Sequence, residues 1–505
     1  MQNGQLVAAV DLGSNSFRLE IGVFEDGHIR RVDYLKETVR QGNGLDSERM
    51  LSKEAMQRGW DCLARFAERL SGFEPEFVRA VATQTLREAR NREIFLIQAT
   101  TILGFPIEVI SGKEEARLIY LGAAHSLPQS NEKRLVIDIG GRSTEMILGK
   151  AYKPNTMESY RVGSVKWSMK YFANGFFNSA AFSKAEIAAK AVLDEALSLY
   201  PRNAWDTAYG TSGTVGAVAD VLTAAGWPIG IITRDGLDWL KDKLIKAGHV
   251  DSFKLEGVKE DRKPVIGGGL SILYALFDLL GIEEMHTAQG ALRQGVLQDL
   301  LGRLENHDNT DLRGTMVTAL ASRFAVDLAQ ADRVKRTALW LFQNLQANLN
   351  KKASRLIQLE NKLSWAAQLR EIGTRISHSD FHKHGAYILD NADLTGFSMP
   401  ELHRLSQLIL GHRGKLKKLE PELRDHEFVC QLISLRLAAI LCHARREPDL
   451  QGFSFQQSTQ STEFAIQCTK SWSQLWPQSV HLLQEECDAW LKSNWQLSFQ
   501  ISSGV

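Results

Sequence analysis

A short segment that occurs twice constrains the fold of this 505-residue chain more than any other feature. DLGSNSFRLEIG begins at Asp11 and DIGGRSTEMILG begins at Asp138, a shift of 127 positions that also places Ser16 on Ser143. Each copy has an apolar strand, a turn of small and hydroxylated residues, and a second apolar strand, which is the pattern of a β-hairpin. Two such hairpins predict a duplicated α/β scaffold whose halves face each other across a cleft.

The two turns have the composition of anion-binding loops. Backbone N–H groups and hydroxyls that surround a turn can hold a phosphate group. An Asp-x-Gly sequence after a strand is also ordinary turn chemistry, so a single copy leaves both interpretations open. Because the aspartate and the serine are kept at matched positions in both copies, we favour a phosphate clamp.

A third candidate loop is GTSGT, from Gly210 to Thr214, which precedes a helix predicted to start near Val215. The amides of Ser212, Gly213 and Thr214 would point out of the helix N-terminus, where an anion binds favourably. A helix cap without a ligand explains the same residues. The chain has no G-x-x-x-x-G-K-[ST] sequence, so we exclude a P-loop nucleotide site.

Glu115 is the candidate catalytic carboxylate. In SGKEEARLIYLG, Ser111 and Glu114 fit the S-x-x-E capping box, which gives Glu114 a structural role. Glu115 instead begins a helix face formed by Leu118 and Ile119. A carboxylate on an apolar face must be paired, bound to a metal or catalytic. A salt bridge to an arginine would satisfy it equally well, so the residues alone leave both roles open.

Composition excludes several classes of protein. Lys and Arg number 60 and Asp and Glu 59, so the net charge of +1 carries no global nucleic-acid signature. Five cysteines form no C-x-x-C pair, which favours reduced thiols and a cytoplasmic location. We predict no signal peptide, and the longest apolar run, from Leu270, contains Asp278 and is too short to span a bilayer.

The pattern of elements along the chain predicts four domains. Short β-rich runs alternate with helical stretches at the start of the chain, which is typical of an α/β fold. From about Arg303 the sequence becomes almost purely helical, and a small α+β segment ends the chain. The predicted domains are residues 1–124, 125–302, 303–445 and 446–505.

Six motifs resemble, in order and spacing, those of the exopolyphosphatase and guanosine pentaphosphate phosphohydrolase family: VDLGSNSFRL, ATQTLREA, SGKEEARLIYLG, VIDIGGRSTE, GTSGT and GALRQGVL. The similarity covers about residues 6 to 300 and continues through HSDFHKHGAYILDNADLTGF, which is closer to the exopolyphosphatase branch. The resemblance implies two actin-like α/β domains of the ribonuclease H-like, sugar-kinase, Hsp70 and actin superfamily. It also implies an all-α HD-like domain, a small α+β C-terminal domain and a homodimer.

The resemblance also assigns roles to individual residues. Glu115 is at the position of the catalytic base that activates water, and Asp138 and Glu145 are at positions associated with Mg²⁺ or another divalent cation. Arg87 and Arg293 match arginines that hold phosphoryl oxygens. The remaining phosphate-binding residues are Asp11, Gly13, Ser14, Asn15, Ser16, Gly141, Arg142, Ser143, Ser212, Gly213 and Thr214. A phosphoanhydride needs such a set, because its charges must be neutralised while a carboxylate positions water.

Two positions depart from the family pattern. Family members commonly have Gly or Ala where this chain has Arg142, whose guanidinium either joins the phosphate site or points to solvent. An HD-like domain has His-Asp or His-Glu after an apolar helix, and this chain has Arg370 and Glu371 there. We therefore expect no catalytic metal in the helical domain.

A run of basic residues in the helical region predicts a surface for a long polyanion, although such a run is usually a solvated face. Because the chain as a whole is nearly neutral, the local excess favours inorganic polyphosphate as the partner. The predicted polyphosphate channel consists of His378, His382, Lys383, His384, Arg413, Lys415 and Lys417, with His412 and Lys418 in the same run.

Together these features predict a processive, Mg²⁺-dependent exopolyphosphatase that releases orthophosphate. The alternative is hydrolysis of the 5′-γ-phosphate of guanosine pentaphosphate in the same site, with guanosine penta- or tetraphosphate as substrate or inhibitor. A small-molecule kinase shares the fold, but Glu115 at the water-activating position argues against it. A non-catalytic protein that binds polyphosphate or the guanosine phosphates is the remaining alternative. We expect a cytoplasmic protein that binds no nucleic acid, and we leave peripheral membrane association open.

Overall fold

The computed structural model describes residues 1–304, 312–349, 351–457 and 462–502. They form two compact units, and the division falls between residues 304 and 312. The segment Asp393–Ser398 belongs to the first unit, although the chain on both sides of it belongs to the second. The predicted domain limits stay predictions.

The first half of the first unit is built on a five-stranded sheet. Its strands are β1 (Leu6–Leu12), β2 (Phe17–Glu25), β3 (His28–Glu37), β4 (Val78–Ala82) and β5 (Ile107–Val109), in the spatial order β3-β2-β1-β4-β5. Its helices are α1 (Lys53–Arg69), α2 (Gln84–Glu88), α3 (Arg92–Leu103) and α4 (Gly112–Ser126). Strands β1, β4 and β5 are parallel, so the loops that follow them lie at one edge of the sheet.

The second half of the first unit repeats this arrangement. Its strands are β6 (Lys133–Ile139), β7 (Thr144–Lys150), β8 (Lys153–Tyr160), β9 (Thr207–Thr211), β10 (Ile231–Thr233) and β11 (Glu284–Thr287), in the order β10-β11-β9-β6-β7-β8. Its helices are α5 (Ser164–Tyr171), α6 (Ser179–Leu193), α7 (Ala196–Leu199), α8 (Ser212–Ala224), α9 (Arg234–Ala247), α10 (Ile266–Leu280) and α11 (Leu292–Leu304). The run β8-β7-β6-β9 matches β3-β2-β1-β4, so the duplication predicted from the repeated segment is confirmed.

Both copies of the repeated segment are β-hairpins, as predicted. In the first copy Asp11 lies directly opposite Arg18 on the neighbouring strand. In the second copy Asp138 lies opposite Glu145. The same register therefore places an acid and a base together in one hairpin and two acids together in the other.

The core of the second half contains the apolar helix α10. The stretch Lys263–Leu280 is by length and composition apolar enough to cross a membrane. It is longer than the apolar run from Leu270 described above, because it includes the start of α10 and the short turn Lys263–Val265 before it. Of this stretch, 72% is buried inside the protein, as in a core helix of a globular domain.

Helix α4, which carries Glu115, packs against α11 through glycines. A Cβ on Gly122 would lie 2.0 Å from the carbonyl oxygen of Ala291, and a Cβ on Gly295 would lie 1.7 Å from that of Leu118. Only glycine permits the two backbones to approach so closely. The position of α4 is therefore fixed by backbone packing.

A buried ion network also joins α4 to α11. Asp299 on α11 contacts Arg79 (2.6 Å), Arg303 (2.7 Å) and Arg117 of α4. Arg117 also contacts Glu114, whose Oε2 accepts a hydrogen bond of 2.7 Å from the Gly396 amide in the segment Asp393–Ser398. The network holds the first turn of α4 in place, next to the candidate base.

The second unit begins with helices and ends with a small sheet. Its helices are α12 (Leu312–Arg323), α13 (Leu328–Gln343), α14 (Gln346–Leu349), α15 (Ala353–Leu369), α16 (Phe381–Asp390), α17 (Met399–Gly411) and α18 (His426–Leu441). The terminal elements are β12 (Phe453–Gln457), β13 (Glu463–Thr469), α19 (Lys470–Leu475), α20 (Pro477–Trp490) and β14 (Gln496–Ser502), with the sheet in the order β12-β13-β14. The HD-like relationship of this unit stays a prediction.

Candidate active site

The turns of the two hairpins meet in the first unit. A Cβ on Gly141 in the second turn would lie 3.2 Å from Ser14 Cβ and 3.6 Å from the Asn15 amide nitrogen in the first. Thr85, which follows β4, donates a hydrogen bond of 2.8 Å from its hydroxyl to Ser14 Oγ. The prediction that both copies of the repeat lie at one site is therefore confirmed, while the phosphate-binding roles of their residues stay predictions.

Glu115 lies at this site, in the first turn of α4. That turn is capped by Ser111, whose hydroxyl accepts a hydrogen bond of 3.2 Å from the Glu114 amide, which is the serine half of the predicted capping box. The Glu114 carboxylate binds Arg117 and the Gly396 amide instead. The Glu115 side chain is 9% exposed. Burial raises its pKa to about 7 against the opposing effect of Arg87, and Asp138 and Asp11 raise it further. A carboxylate that titrates near neutral pH is suited to accept a proton from water.

Asp138 and Glu145 form a second acidic element beside Glu115. Burial raises the pKa of Asp138 to about 6. Burial, together with Glu115 and Asp138, raises the pKa of Glu145 well above its usual range. Two adjacent carboxylates supply the hard oxygen ligands that Mg²⁺ prefers, and this ion usually takes its other ligands from water and substrate phosphates. The pair therefore fits Mg²⁺, although no group of three or more such ligands occurs among the residues described here.

Arg87 is bound to Glu115 by both terminal nitrogens, at 3.1 Å each. Its Nη1 also donates to the Ile110 carbonyl (2.7 Å), and its Nε and Nη2 donate to Gln84. All five N–H groups of the guanidinium thus have acceptors. In this structure Arg87 orients the candidate base, and its predicted role in holding phosphoryl oxygens stays a prediction.

Arg142 contacts the opposite half of the first unit. Its guanidinium donates to Glu88 (3.0 Å) and to the Gly42 carbonyl oxygen (3.0 Å), and its side chain is 10% exposed. The guanidinium therefore does not point to solvent, which was one of the two alternatives from the sequence, and its phosphate-binding role stays a prediction. The ion pair instead joins the second turn to the first half.

Two charged residues at the site were missed from the sequence. Arg18 lies 3.4 Å from Asp11, and Arg293 lies 3.3 Å from Glu20 and 3.8 Å from Asp11. Neither Arg18 nor Glu20 was predicted, although the repeat contains a signal for Arg18. The shift of 127 positions places Arg18 on Glu145, the partner of the second aspartate.

The third loop differs from its prediction in one respect. Helix α8 begins at Ser212, and not near Val215, and Ser212 has a φ of 73°, which is strained for a residue with a side chain. Gly213 lies against Arg262, whose Nη2 would be 2.1 Å from a Cβ at this position. Arg262 was also missed, because nothing in the sequence around it marks a site. It adds a cation next to a helix N-terminus.

Polar atoms without partners accompany the first turn. Within the described part of the chain, Asn15 Nδ2, Ser16 Oγ and both amide atoms of Gln41 are buried and make no hydrogen bond. The residue after Gln41, Gly42, donates its amide to the Ser14 carbonyl oxygen at 2.7 Å. These groups are available to a bound ligand, and no sequence signal indicated Gln41.

The predicted polyphosphate channel residues all lie in the second unit. His382 is buried, His384 is half-buried, and His378, Lys383, Arg413, Lys415 and Lys417 are exposed. His412 is buried and Lys418 is exposed. The channel itself stays a prediction.

Comparison with known proteins adds independent evidence. A model of the Ppx/GppA phosphatase family matches residues 21–304, and a model of domain III of that family matches residues 312–488. A protein of Photobacterium profundum named guanosine-5'-triphosphate,3'-diphosphate pyrophosphatase is 36% identical over 502 residues, which is 98% of each chain. A relative of the same name from Aeromonas hydrophila is 39% identical over 462 residues, 90% of this chain and 91% of its own. The crystal structure of the Aquifex aeolicus member of the Ppx/GppA family is 26% identical, covers 60% of this chain and 99% of its own, and has a TM-score of 0.50.

Proposed function

Because the chain belongs to the Ppx/GppA phosphatase family, we propose that it hydrolyses the terminal 5′-phosphate of guanosine pentaphosphate, releasing orthophosphate and guanosine tetraphosphate. The observation that carries this proposal is the 36% identity to the Photobacterium profundum pyrophosphatase over 98% of both chains. Exopolyphosphatase activity, placed first from the sequence, has less support, because these relatives are named for the nucleotide.

In the proposed reaction Glu115 accepts a proton from the water that attacks the terminal phosphorus. Its raised pKa, caused by burial, makes it a stronger base than an exposed glutamate. Arg87 fixes the direction of the carboxylate through its two bonds to it. The amides and hydroxyls of the two facing turns donate to the oxygens of the transferred phosphoryl group, where negative charge is concentrated.

Asp138 and Glu145 would hold Mg²⁺ in this proposal. When bound, the cation supplies charge neutralisation for the phosphate oxygens. The carboxylates also need it, because burial and mutual repulsion otherwise favour their protonated forms.

Replacing Asp138 with Asn is expected to raise the Mg²⁺ concentration for half-maximal activity at least about tenfold, since one of two anionic ligands is lost. Direct binding of Mn²⁺, followed by electron paramagnetic resonance, should weaken in parallel. The matched control is Glu284→Gln, an exposed carboxylate on β11 that should change neither quantity. Unchanged Mn²⁺ affinity in the Asp138→Asn variant would contradict the assignment.

Replacing Arg87 with Met is expected to move the acid limb of the pH profile of kcat/KM to higher pH. The active form carries an ionised Glu115, so activity falls as pH decreases through its pKa. Arg87 lowers that pKa, and its removal raises it. If Arg87 only holds phosphate, KM rises and the limb stays in place. Arg69→Met, at an exposed position on α1, is the control for a general loss of positive charge.

Inorganic polyphosphate is the second candidate substrate. The exposed basic residues Lys383, Arg413, Lys415 and Lys417 favour it, because a long polyanion is attracted to such a surface. An orthophosphate-release assay with guanosine pentaphosphate, GTP and long-chain polyphosphate at equal terminal-phosphate concentration separates the candidates. We expect the highest kcat/KM for guanosine pentaphosphate. Cytoplasmic location and a homodimer stay proposals beside this function.

A further inference from the structure

Besides Nε2 of His443 and Nε1 of Trp476, three buried nitrogen atoms of the second unit make no hydrogen bond to any described residue. They are Nδ1 of His382, Nε2 of His412 and Nε of Arg370, on side chains that are 6%, 4% and 8% exposed. The two imidazole rings lie 6.3 Å apart, centre to centre. A buried polar group without a partner costs about 1–3 kcal/mol, so water or a ligand is expected to contact such groups.

His382 lies at the N-terminus of α16, a helix of 10 residues. The residue before this helix, Asp380, makes no capping bond with its side chain, which binds Lys383 instead (2.9 Å). The first amides of a helix and its dipole favour a negatively charged group at this end. The buried histidine therefore lies where an anion binds favourably.

The charged groups around His382 are predominantly basic. Burial, with Lys418 and Arg413, lowers the pKa of His382 to about 4, while Asp380 opposes this effect and Lys383 adds to it. Partial burial, with Lys383, Arg436 and Arg413, lowers the pKa of Lys418 to about 8, and Asp380 opposes this effect. Cations that repel one another in this way are stabilised when an anion binds among them.

The turn that carries His412 and Arg413 is held rigidly. Arg436 donates to the carbonyl oxygens of Gly411 and Gly414 on either side of these residues, and it forms a buried ion pair with Glu486. A Cβ on Gly414 would lie 3.7 Å from His382 Nε2, so the turn also contacts the histidine. The backbone of the turn that carries Arg413 is thus held in place before any ligand arrives, which lowers the entropic cost of binding.

We propose that this cluster is a binding site for a phosphate dianion, with His382, Arg413 and Lys418 as its main contacts. The site lies wholly in the second unit and does not depend on the proposed catalytic function. Free orthophosphate and the terminal phosphate of a nucleotide share this chemistry, and the experiment distinguishes them.

The test measures the pKa of His382 in the full-length protein by hydrogen–deuterium exchange at imidazole C2 with mass spectrometry. Phosphate or sulfate is compared with chloride at the same ionic strength, and sulfate is included because it stays a dianion throughout the titration. We expect either dianion to raise the pKa of His382 by at least about one unit, since it replaces repulsion with attraction. Sulfate affinity should rise as pH falls, because the charged imidazole binds more strongly. His481, an exposed histidine on α20, should not respond.

Matched lysine variants locate the site. Lys418→Met is expected to raise the anion concentration that gives half of the pKa shift of His382 about tenfold. This is the scale of one hydrogen bond to a charged group. Lys470→Met, at the exposed first residue of α19 and outside the predicted channel, should leave it unchanged. Orthophosphate acting at a lower concentration than GTP indicates the free ion, and the reverse indicates a nucleotide. If the pKa of His382 is the same in phosphate, sulfate, GTP and chloride, or if the two lysine variants behave alike, the proposal is wrong.

Discussion

Replacing Glu115 with Gln is expected to lower kcat by about 10²- to 10⁴-fold, the usual contribution of a general base. Gln has nearly the same shape but cannot accept the proton from the attacking water. KM should change little, because the donors of the two turns and the cation-binding carboxylates are retained. Orthophosphate release by wild type and variant, measured at saturating guanosine pentaphosphate, gives the ratio of kcat values.

The control for this variant is Glu158→Gln. Glu158 lies on β8 and pairs with Lys113 of α4 at 2.8 Å, so it is a carboxylate close to the same helix but half-exposed. It should retain wild-type kcat. If Glu115→Gln turns over as fast as wild type, Glu115 is only the buried partner of Arg87, which is the structural alternative that its sequence context left open.

Replacing Asp299 with Asn is expected to destabilise the first unit by about 3 kcal/mol. The substitution removes the anion that Arg79, Arg117 and Arg303 share, and it leaves their charges in a largely buried environment. A shift of the urea denaturation midpoint to lower concentration measures the effect. Asp251→Asn, at a carboxylate that is 88% exposed, should shift nothing measurable.

The pH dependence of this stabilisation has a defined direction. Burial alone would raise the pKa of Asp299, but Arg303, Arg117 and Arg79 hold it well below its usual range. A carboxyl group whose pKa is lower in the folded state stabilises the fold above its unfolded pKa of about 4, and this contribution is lost as pH falls through the folded pKa. The difference between wild type and Asp299→Asn should therefore be full at pH 7 and shrink in acid. If the difference in the free energy of unfolding is the same in acid as at pH 7, the ionic explanation is wrong.

The duplicated scaffold could be predicted because a hairpin is encoded locally. Two apolar strands joined by a short turn of small residues fix the pairing register within one short segment. The second copy has the same register. Glu115 could be singled out for a similar reason, since its helix position and apolar neighbours are both local features.

Side-chain contacts between distant segments that are not repeats of each other could not be predicted. The pairing of Arg142 with Glu88 joins residues that are 54 positions apart, and the hydrogen bond from Gly396 to Glu114 spans 282 positions. No repeat or periodic pattern in the sequence links the two residues of either pair. Of the three acceptors around Arg87, Gln84 lies in the same helix, but Ile110 and Glu115 are 23 and 28 positions away, which explains why the arginine that pairs with Glu115 could not be identified from the sequence.

The substrate was the least predictable part. The same turns, arginines and carboxylates suit any terminal phosphoanhydride, because they contact only the transferred phosphoryl group and the attacking water. The motif in the helical region favoured polyphosphate, whereas similarity over the full length of the chain favours the nucleotide.

The most direct test of the proposed function is hydrolysis of guanosine pentaphosphate in ¹⁸O-labelled water with Mg²⁺, with both products analysed by mass spectrometry. We predict that the released orthophosphate carries one ¹⁸O and that guanosine tetraphosphate carries none, because water attacks the terminal 5′-phosphorus. In the same assay kcat/KM should be higher for guanosine pentaphosphate than for long-chain polyphosphate. Label in the nucleotide product, no release from guanosine pentaphosphate, or a clear preference for polyphosphate would contradict the proposal.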